Sequence, residues 1–353
     1  MKNKRLFILI SSVCLILAIA LLPLLTACAE PAPPTAIKPI ELSLSMLIPP
    51  THARWTKAIE PWAAELEEKT GGKVKITPFF SNALAPAGEA FDAARTGICD
   101  IAHSFPVQTP GKFPLTMVAA VSPIGPYHPY PGRAIWELYK ASPEFQKEYG
   151  GVKVLALASV PAMVPVTKTP IRTLDDWKGK KIVGQGTWGG AILTKLGASP
   201  SLITWGELYV ALEKGVVDGV ITSYDTLKSR KFAEVTSYVT AVSQTPSVYY
   251  FVMNLDTWNA LPSDVQKVFD ELSGDYFVDL LVKNEAINDE VATEWAAKEH
   301  DIEYIQVAPD ELAKWIKLTE PVADEWVSEM EGKGYPAREF YNKYVQLYEK
   351  NRP

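Results

Sequence analysis

Short apolar segments alternate with amphipathic ones along most of the chain, and this alternation limits the folds that the sequence can adopt. Residues 41–48 alternate apolar and polar side chains, as strands do, whereas the apolar residues from Trp55 to Leu66 recur at helical spacing. The Gly71-Gly72 pair ends that helix, and residues 73–77 form the next predicted strand. A repeated strand–helix order of this kind predicts an α/β fold.

The same order continues downstream, in what we interpret as a second block. A chain of this length exceeds a typical single core, so we expect two lobes. Thr204 and Glu207 have capping-box spacing and predict a helix that starts at Trp205. This helix is predicted to run to Lys214. The other predicted strands cover residues 98–103, 152–159, 180–183, 216–221 and 248–253. The other predicted helices cover residues 89–96, 190–196, 261–272 and, in one long amphipathic stretch, 283–300.

The N-terminus predicts an export signal that ends at a lipid-modified cysteine. Three cations within the first five residues precede an apolar run over residues 6–25, and Leu25-Thr26-Ala27-Cys28 has the form of a lipoprotein cleavage site. We predict a signal peptide over residues 1–27 and a lipid on Cys28. The alternative, an uncleaved membrane helix, fits less well because Pro23 would interrupt it.

The segment that follows Cys28 predicts a spacer. Residues 28–39 are rich in proline and should form an extended tether. Removal of residues 1–27 takes away three cations and no acid, which changes the formal net charge from −6 to −9 and argues against nucleic acid as a partner. Cys99 is then the one cysteine besides Cys28, so no internal disulfide is expected, and we interpret it as a small buried apolar residue.

One motif suggests enzymatic chemistry. Residues 184–189, Gly-Gln-Gly-Thr-Trp-Gly, have the G-x-G-x-x-G form of a dinucleotide site between a predicted strand and a helix. We discount a dinucleotide because Glu207, its candidate ribose ligand, is better explained as a helix cap, and because nicotinamide cofactors are scarce outside the cytoplasm. We therefore interpret these residues as a glycine turn whose Gly186 and Thr187 amides could face an anion.

Histidines and tryptophans supply the other candidate residues. The chain has no G-x-S-x-G motif, and its histidines, at 52, 103, 128 and 300, share no metal-ligand spacing, so we expect no enzyme activity, no cofactor and no metal. His52 and His103 lie near the ends of predicted strands, where a ligand contact and a structural role both stay open. Trp188 and Trp205 lie in turns after strands, where aromatic rings commonly wall a pocket.

Several segments of the chain occur in an order and spacing that are typical of one protein family. The strongest is Leu196-Gly-Ala-Ser-Pro200, followed by residues 205–219, which begin Trp-Gly-Glu and end Val-Asp-Gly; the others are residues 71–76, 97–101, 111–115, 170–182 and 252–254. Through them, residues 40–345 resemble the DctP-type solute-binding proteins of tripartite ATP-independent periplasmic (TRAP) transporters.

The resemblance implies a two-lobe α/β fold like that of periplasmic binding proteins, with a ligand cleft between the lobes and a long helix that spans both. We assign residues 40–160 and 248–287 to the first lobe, and residues 161–247 and 288–345 to the second. It also implies that the lobes close on a small molecule without chemistry and then dock on a membrane permease of one small and one large subunit. A ligand sensor for a membrane signalling partner is the alternative.

The positions that match the family's ligand pocket are unusually apolar. Most members have an arginine after the Lys-Ile of a second-lobe strand, where it pairs with a ligand carboxylate, but this chain has Val183. The pocket residues predicted from the resemblance are Ile48, Phe105, Met163, Val183 and Trp205, and we add Thr222 to them.

This departure leaves two hypotheses for the ligand. In the first, it is a monocarboxylate with an apolar or aromatic body, held by His52, Arg54, His103 or the Gly186–Thr187 amides. In the second, it has no carboxylate. The loss of a charge-assisted bidentate pair would remove roughly 1.5–3 kcal/mol from carboxylate binding.

Overall fold

The computed structural model describes residues 38–126, 131–161 and 163–351. The predicted signal peptide, Cys28, nearly all of the tether and His128 lie outside the described residues. Within the described ranges, no helix is both long enough and apolar enough to cross a membrane.

The secondary structure follows the alternation that the sequence predicts. The strands are β1 (Ile40–Met46), β2 (Val74–Phe79), β3 (Ile101–Ser104), β4 (Gly125–Pro126), β5 (Val152–Ser159), β6 (Val164–Thr167), β7 (Lys181–Val183), β8 (Ser199–Ser201), β9 (Gly219–Thr222), β10 (Tyr238–Thr240), β11 (Val242–Ser243), β12 (Val248–Asn254) and β13 (Glu303–Ile305).

The helices are α1 (Glu60–Lys69), α2 (Ala90–Arg95), α3 (Ala134–Ala141), α4 (Pro143–Glu148), α5 (Gly186–Leu196), α6 (Leu208–Glu213), α7 (Thr226–Ser229), α8 (Leu255–Ala260), α9 (Ser263–Leu272), α10 (Asp275–Glu299), α11 (Pro309–Gly332) and α12 (Ala337–Lys350). Shorter helical segments are a π-helical turn over Trp55–Ile59 and 3-10 turns over Pro106–Gln108, Thr116–Val121, Pro131–Arg133, Leu174–Trp177 and Phe232–Glu234.

Two sheets form two lobes, as the resemblance implies. The first has the strand order β2-β1-β3-β12-β5, with β1, β2 and β3 parallel and β12 antiparallel to both of its neighbours. The second has the order β13-β10-β6-β9-β7-β8, in which β7, β8 and β9 are parallel. Because every residue of β12 is buried, its sequence is apolar or aromatic from Val248 to Met253 rather than alternating.

The chain passes between the sheets in two adjacent segments. The Val160 amide donates to the Ser247 carbonyl at 3.0 Å, and Met163 and Gln244 exchange backbone hydrogen bonds of 3.1 and 2.7 Å. These bonds hold the segment that leaves β5 beside the segment that enters β12. The two segments therefore form one paired connection between the lobes.

A long helix also joins the lobes. Helix α10 packs against β5 and the Trp55–Ile59 turn of the first lobe, and against α7 of the second. Near its start, Phe277 stacks on the buried Trp62 ring, with 4.2 Å between ring centroids. The long helix predicted over residues 283–300 therefore begins earlier, at Asp275.

The last helix contacts the first lobe. Lys350 at the end of α12 lies 3.0 Å from the Glu137 carboxylate on α3, and Phe340 packs edge-on against Phe145. The sequence-based lobe boundaries stay a prediction, and these contacts favour ending the second-lobe segment before Ala337.

Two further helix starts differ from those predicted. Helix α6 begins at Leu208, because the Thr204 hydroxyl bonds the Glu207 carboxylate at 2.6 Å and residues 205–207 form a turn. Helix α5 begins at Gly186, so the predicted glycine turn supplies the first turn of a helix. Gly186 has a φ of +62°, and a Cβ there would lie 2.6 Å from the Val107 side chain, so the close approach of the lobes requires glycine.

Candidate functional site

A cavity lies between the two lobes, where several strands end. Residues that follow β1 and β3 form one wall, and residues that end or follow β7 and β9 form the facing wall. The cavity has a volume of about 70 Å³, room for roughly five to seven water molecules. In open α/β sheets, ligands bind beyond the carboxyl ends of the strands, and the position of this cavity fits that rule.

The first-lobe wall is mainly apolar. Ile48 follows β1 and is buried, and Phe105 directly follows β3 and packs edge-on against Tyr249, with 5.7 Å between ring centroids. Val160 and Met163, from the segment between the lobes, extend the apolar surface.

The second-lobe wall combines an aromatic ring with polar groups. Trp205 is half-buried in the turn before α6, and the guanidinium carbon of Arg230 lies 4.8 Å from its ring centroid. Thr222 ends β9 and bonds the Thr226 hydroxyl at 3.1 Å, whereas Gln185 donates to the Ile221 carbonyl at 3.2 Å. These bonds hold the polar side chains of this wall in place.

Arg54 has its charge balanced inside the protein. Its Nε donates to the Glu285 carboxylate on α10 at 2.5 Å, and both side chains are almost fully buried. The Tyr249 ring covers the guanidinium carbon at 4.2 Å. Burial alone would lower the pKa of Arg54, but the charge and hydrogen bond of Glu285, together with the charges of Tyr249 and Asp225, raise that pKa above its ordinary value.

His52 presents a hydrogen-bond donor at the cavity. Its Nδ1 accepts from the Arg54 amide at 3.1 Å, which assigns the proton of the neutral ring to Nε2. Burial, with the nearby Arg54 charge, lowers the pKa of His52 to about 4, so the ring is neutral at pH 7. Nε2 lies 3.8 Å from the Asp225 carboxylate of the second lobe, too far for a direct hydrogen bond.

Seven of the residues predicted from the sequence line this cavity. They are Ile48, His52, Arg54, Phe105, Met163, Trp205 and Thr222. Whether they contact a ligand stays a prediction.

The other predicted residues lie elsewhere. Gly186, Thr187 and Trp188 line a neighbouring cavity, which shares Val107 with the first. His103 is fully buried, with its Nε2 3.5 Å from Arg54, so it supports the first-lobe wall from behind. Val183 is buried in the core of the second lobe rather than among the lining residues, because β7 ends there and the chain turns into α5.

Sequence reasoning missed Asp225 and Arg230. Both line the cavity from the segment that follows β9. The rule that selected His52, a polar residue just after a strand, applies equally to Asp225. Arg230 gives a weaker signal, because it lies eight residues after Thr222 and only the short helix α7 turns it back towards the cavity.

The geometry defines a class of protein: two α/β lobes with a small, largely apolar cavity between them. The sequence model for "bacterial extracellular solute-binding protein, family 7", the DctP family, matches residues 44–329. The chain belongs to this family, and the TRAP resemblance is confirmed.

Individual relatives agree with this assignment. A monocarboxylate 2-oxoacid-binding periplasmic protein of Nostoc sp. (strain PCC 7120) is 28% identical over 254 residues, which cover 68% of each chain. A TRAP solute-binding protein of Rhodoferax ferrireducens T118, solved with copurified benzoate, superposes with a TM-score of 0.82 at 24% identity and covers 88% of this chain and 98% of its own. One from Bordetella bronchiseptica with bound (R)- and (S)-mandelate gives 0.78 at 24% identity, with coverage of 88% and 99%.

We predict that Glu285→Ala destabilises the protein by about 3–5 kcal/mol, because it leaves the buried Arg54 charge without its partner. Glu290→Ala, an exposed position on the same helix, is the matched control and should change stability by less than about 0.5 kcal/mol. Urea unfolding measures both. Equal, small effects in the two variants would contradict the buried ion pair.

We also predict that His52 makes stability depend on pH. Because the pKa of His52 is lower in the folded state than in the unfolded state, the unfolded chain binds a proton at His52 at a higher pH than the folded protein does. The contribution of His52 to the free energy of unfolding is therefore full above about pH 6.5 and falls as the pH drops towards 4. The loss attributable to His52 is up to roughly 3 kcal/mol. Urea unfolding at pH 7 and pH 4.5 should show a smaller difference for His52→Gln than for wild type; an equal difference would refute the assignment.

Proposed function

We propose that the protein is a TRAP transporter receptor that captures a small monocarboxylate with an apolar or aromatic body. One observation carries this proposal: the interlobe cavity has apolar walls at Ile48, Phe105, Met163 and Trp205, and a guanidinium, that of Arg230, at the same cavity. A ligand with an apolar body and one anionic end matches this combination of apolar walls and a guanidinium. A sugar acid, which needs polar groups on all sides, does not.

The expected energetics suit a small aromatic or branched acid. An aromatic ring that buries about 150 Å² gains roughly 4 kcal/mol at about 25 cal/mol per Å². This gain must first offset the entropy lost on association, so the carboxylate contacts decide the net affinity. A cavity of about 70 Å³ has room for an acid of this size but not for a large ligand.

The relatives support the same ligand class. The Nostoc protein is named for monocarboxylate 2-oxoacids, the Rhodoferax protein copurified with benzoate, and the Bordetella protein was solved with mandelate. Each of these ligands has one carboxylate on a compact body.

Closure of the lobes is the proposed means of capture. Because the two walls come from different lobes, a ligand contacts both only when they are together, and its binding shifts the population towards the closed form. A shift from mostly open to mostly closed needs roughly 10⁴-fold tighter binding to the closed state. The closed form would then deliver the ligand to the membrane permease, with no chemistry on the ligand.

We predict that Trp205→Ala weakens the binding of benzoate and mandelate by roughly 10- to 100-fold, because it removes the aromatic wall of the second lobe. Isothermal titration calorimetry measures the change. Trp295→Ala is the matched control: Trp295 is also half-buried on the second-lobe core and also carries a cation, Lys228, over its ring, but it does not line the cavity.

Full affinity in Trp205→Ala, or an equal loss in Trp295→Ala, would contradict this use of the cavity. If wild type binds no acid in a wider panel of aromatic and branched monocarboxylates, the ligand class itself is wrong.

The export signal gives the proposed location. Cleavage after Ala27 and a lipid on Cys28 would keep the receptor on a membrane surface near its permease, with the tether as a spacer. We expect the wild type to partition into the detergent phase of Triton X-114 and Cys28→Ser to remain in the aqueous phase. Recovery of the wild type in the aqueous phase would rule out the anchor.

A further inference from the structure

Two arginines line the interlobe cavity, and they differ in how their charges are balanced. Arg54 is held by Glu285 at 2.5 Å, is 3% exposed and lies under the Tyr249 ring. A ligand carboxylate that bound Arg54 would have to compete with a buried carboxylate already in place. Arg54 is therefore part of the wall rather than the anion site.

Arg230 has no such partner. In the part of the chain that the structure describes, no carboxylate lies within ion-pair distance of its guanidinium, which lies 4.8 Å from the Trp205 ring centroid and interacts with the Asp225 charge only at longer range. The side chain is half-buried, and burial lowers its pKa. A partly desolvated cation with no contacting anion is unfavourable unless a ligand supplies the anion. The guanidinium fork suits a carboxylate, which can accept two parallel hydrogen bonds from it.

Asp225 places a second requirement on the ligand, a hydrogen-bond donor. Its carboxylate lines the same cavity, accepts hydrogen bonds from the Ser223 and Ser229 hydroxyls, and lies 3.8 Å from His52 Nε2. An ionised carboxylate has about four acceptor sites, so these two hydroxyl bonds leave capacity for another donor. A ligand with a carboxylate alone would meet only repulsion from Asp225, whereas a ligand with a hydroxyl or amino group would donate to it.

We infer that Arg230, stacked on Trp205, is the carboxylate-binding residue of this receptor and that Asp225 selects acids that also carry a hydrogen-bond donor. The inference rests on the proposed function, because it assigns roles within the same cavity. It moves the anion site from the strand end at Val183, where the family resemblance placed it, to the segment after β9. The ligand class narrows to hydroxy or amino monocarboxylates with a compact apolar body.

Calorimetric titration of three matched probes tests the inference. Mandelate has a carboxylate and a hydroxyl, phenylacetate lacks the hydroxyl, and mandelamide lacks the charge. Wild type should bind mandelate most tightly. Arg230→Gln should weaken mandelate and phenylacetate by about 10- to 100-fold and leave the weak mandelamide binding unchanged. Lys228→Gln, which removes a cation two residues before Arg230 but away from the cavity, should bind all three probes as wild type does.

Asp225→Asn tests the proposed selection by Asp225 separately from carboxylate binding by Arg230. It should reduce the preference for mandelate over phenylacetate by about tenfold while phenylacetate binds at least as well as to wild type. Arg230→Lys keeps the charge without the fork and should lose less affinity than Arg230→Gln. Melting temperatures without ligand, equal to that of wild type, check that each variant folds.

Each remaining outcome counts against a specific step. Unchanged acid binding in Arg230→Gln overturns the assignment of Arg230 while leaving the proposed function intact. An equal loss of both acids in Asp225→Asn overturns the selection by Asp225. If wild type binds neither these acids nor any other in the monocarboxylate panel, the proposed function fails and the inference fails with it.

Discussion

The buried ion pair between Arg54 and Glu285 joins the segment after β1 to the helix that spans both lobes. At 2.5 Å and with both side chains almost fully buried, each charge depends on the other as its partner in a site that excludes water. Tyr249 and Phe105 cover the guanidinium, and His103 lies behind it. The first-lobe wall of the cavity is therefore built on a charge that is already neutralised, and it presents a mostly apolar face.

The two lobes provide different parts of the candidate site. The first lobe offers a mainly apolar surface and the donor His52 Nε2, whose proton is placed by the hydrogen bond from the Arg54 amide to Nδ1. The second lobe offers Arg230 and Asp225, whose charges do not contact each other within ion-pair distance in the described chain. Recognition of the polar end of a ligand would then belong to the second lobe, and recognition of its body to both.

Much of the fold could be predicted because it depends on local pattern. The strand at 152–159 and the apolar strand at 248–253 appear as β5 and β12 at nearly those bounds, since period and apolar composition report burial directly. Helix starts were less predictable: Thr204 and Glu207 have capping-box spacing, yet their side chains bond each other and α6 starts one turn later. The lining of the cavity was predictable where residues lie within two positions of a strand end, as Ile48 and Phe105 do. Arg230 was not, because its contact with Trp205 joins residues 25 positions apart through the packing of the second lobe.

The central claim is that a monocarboxylate lies between the lobes with its charged end on the second. A crystal structure of the protein with a bound hydroxy acid such as mandelate tests this most directly. The account predicts carboxylate oxygens about 2.7–2.9 Å from the Arg230 guanidinium and the apolar body between Phe105 and Trp205. A carboxylate on Arg54, or on the Gly186–Trp188 amides of the neighbouring cavity, would contradict it.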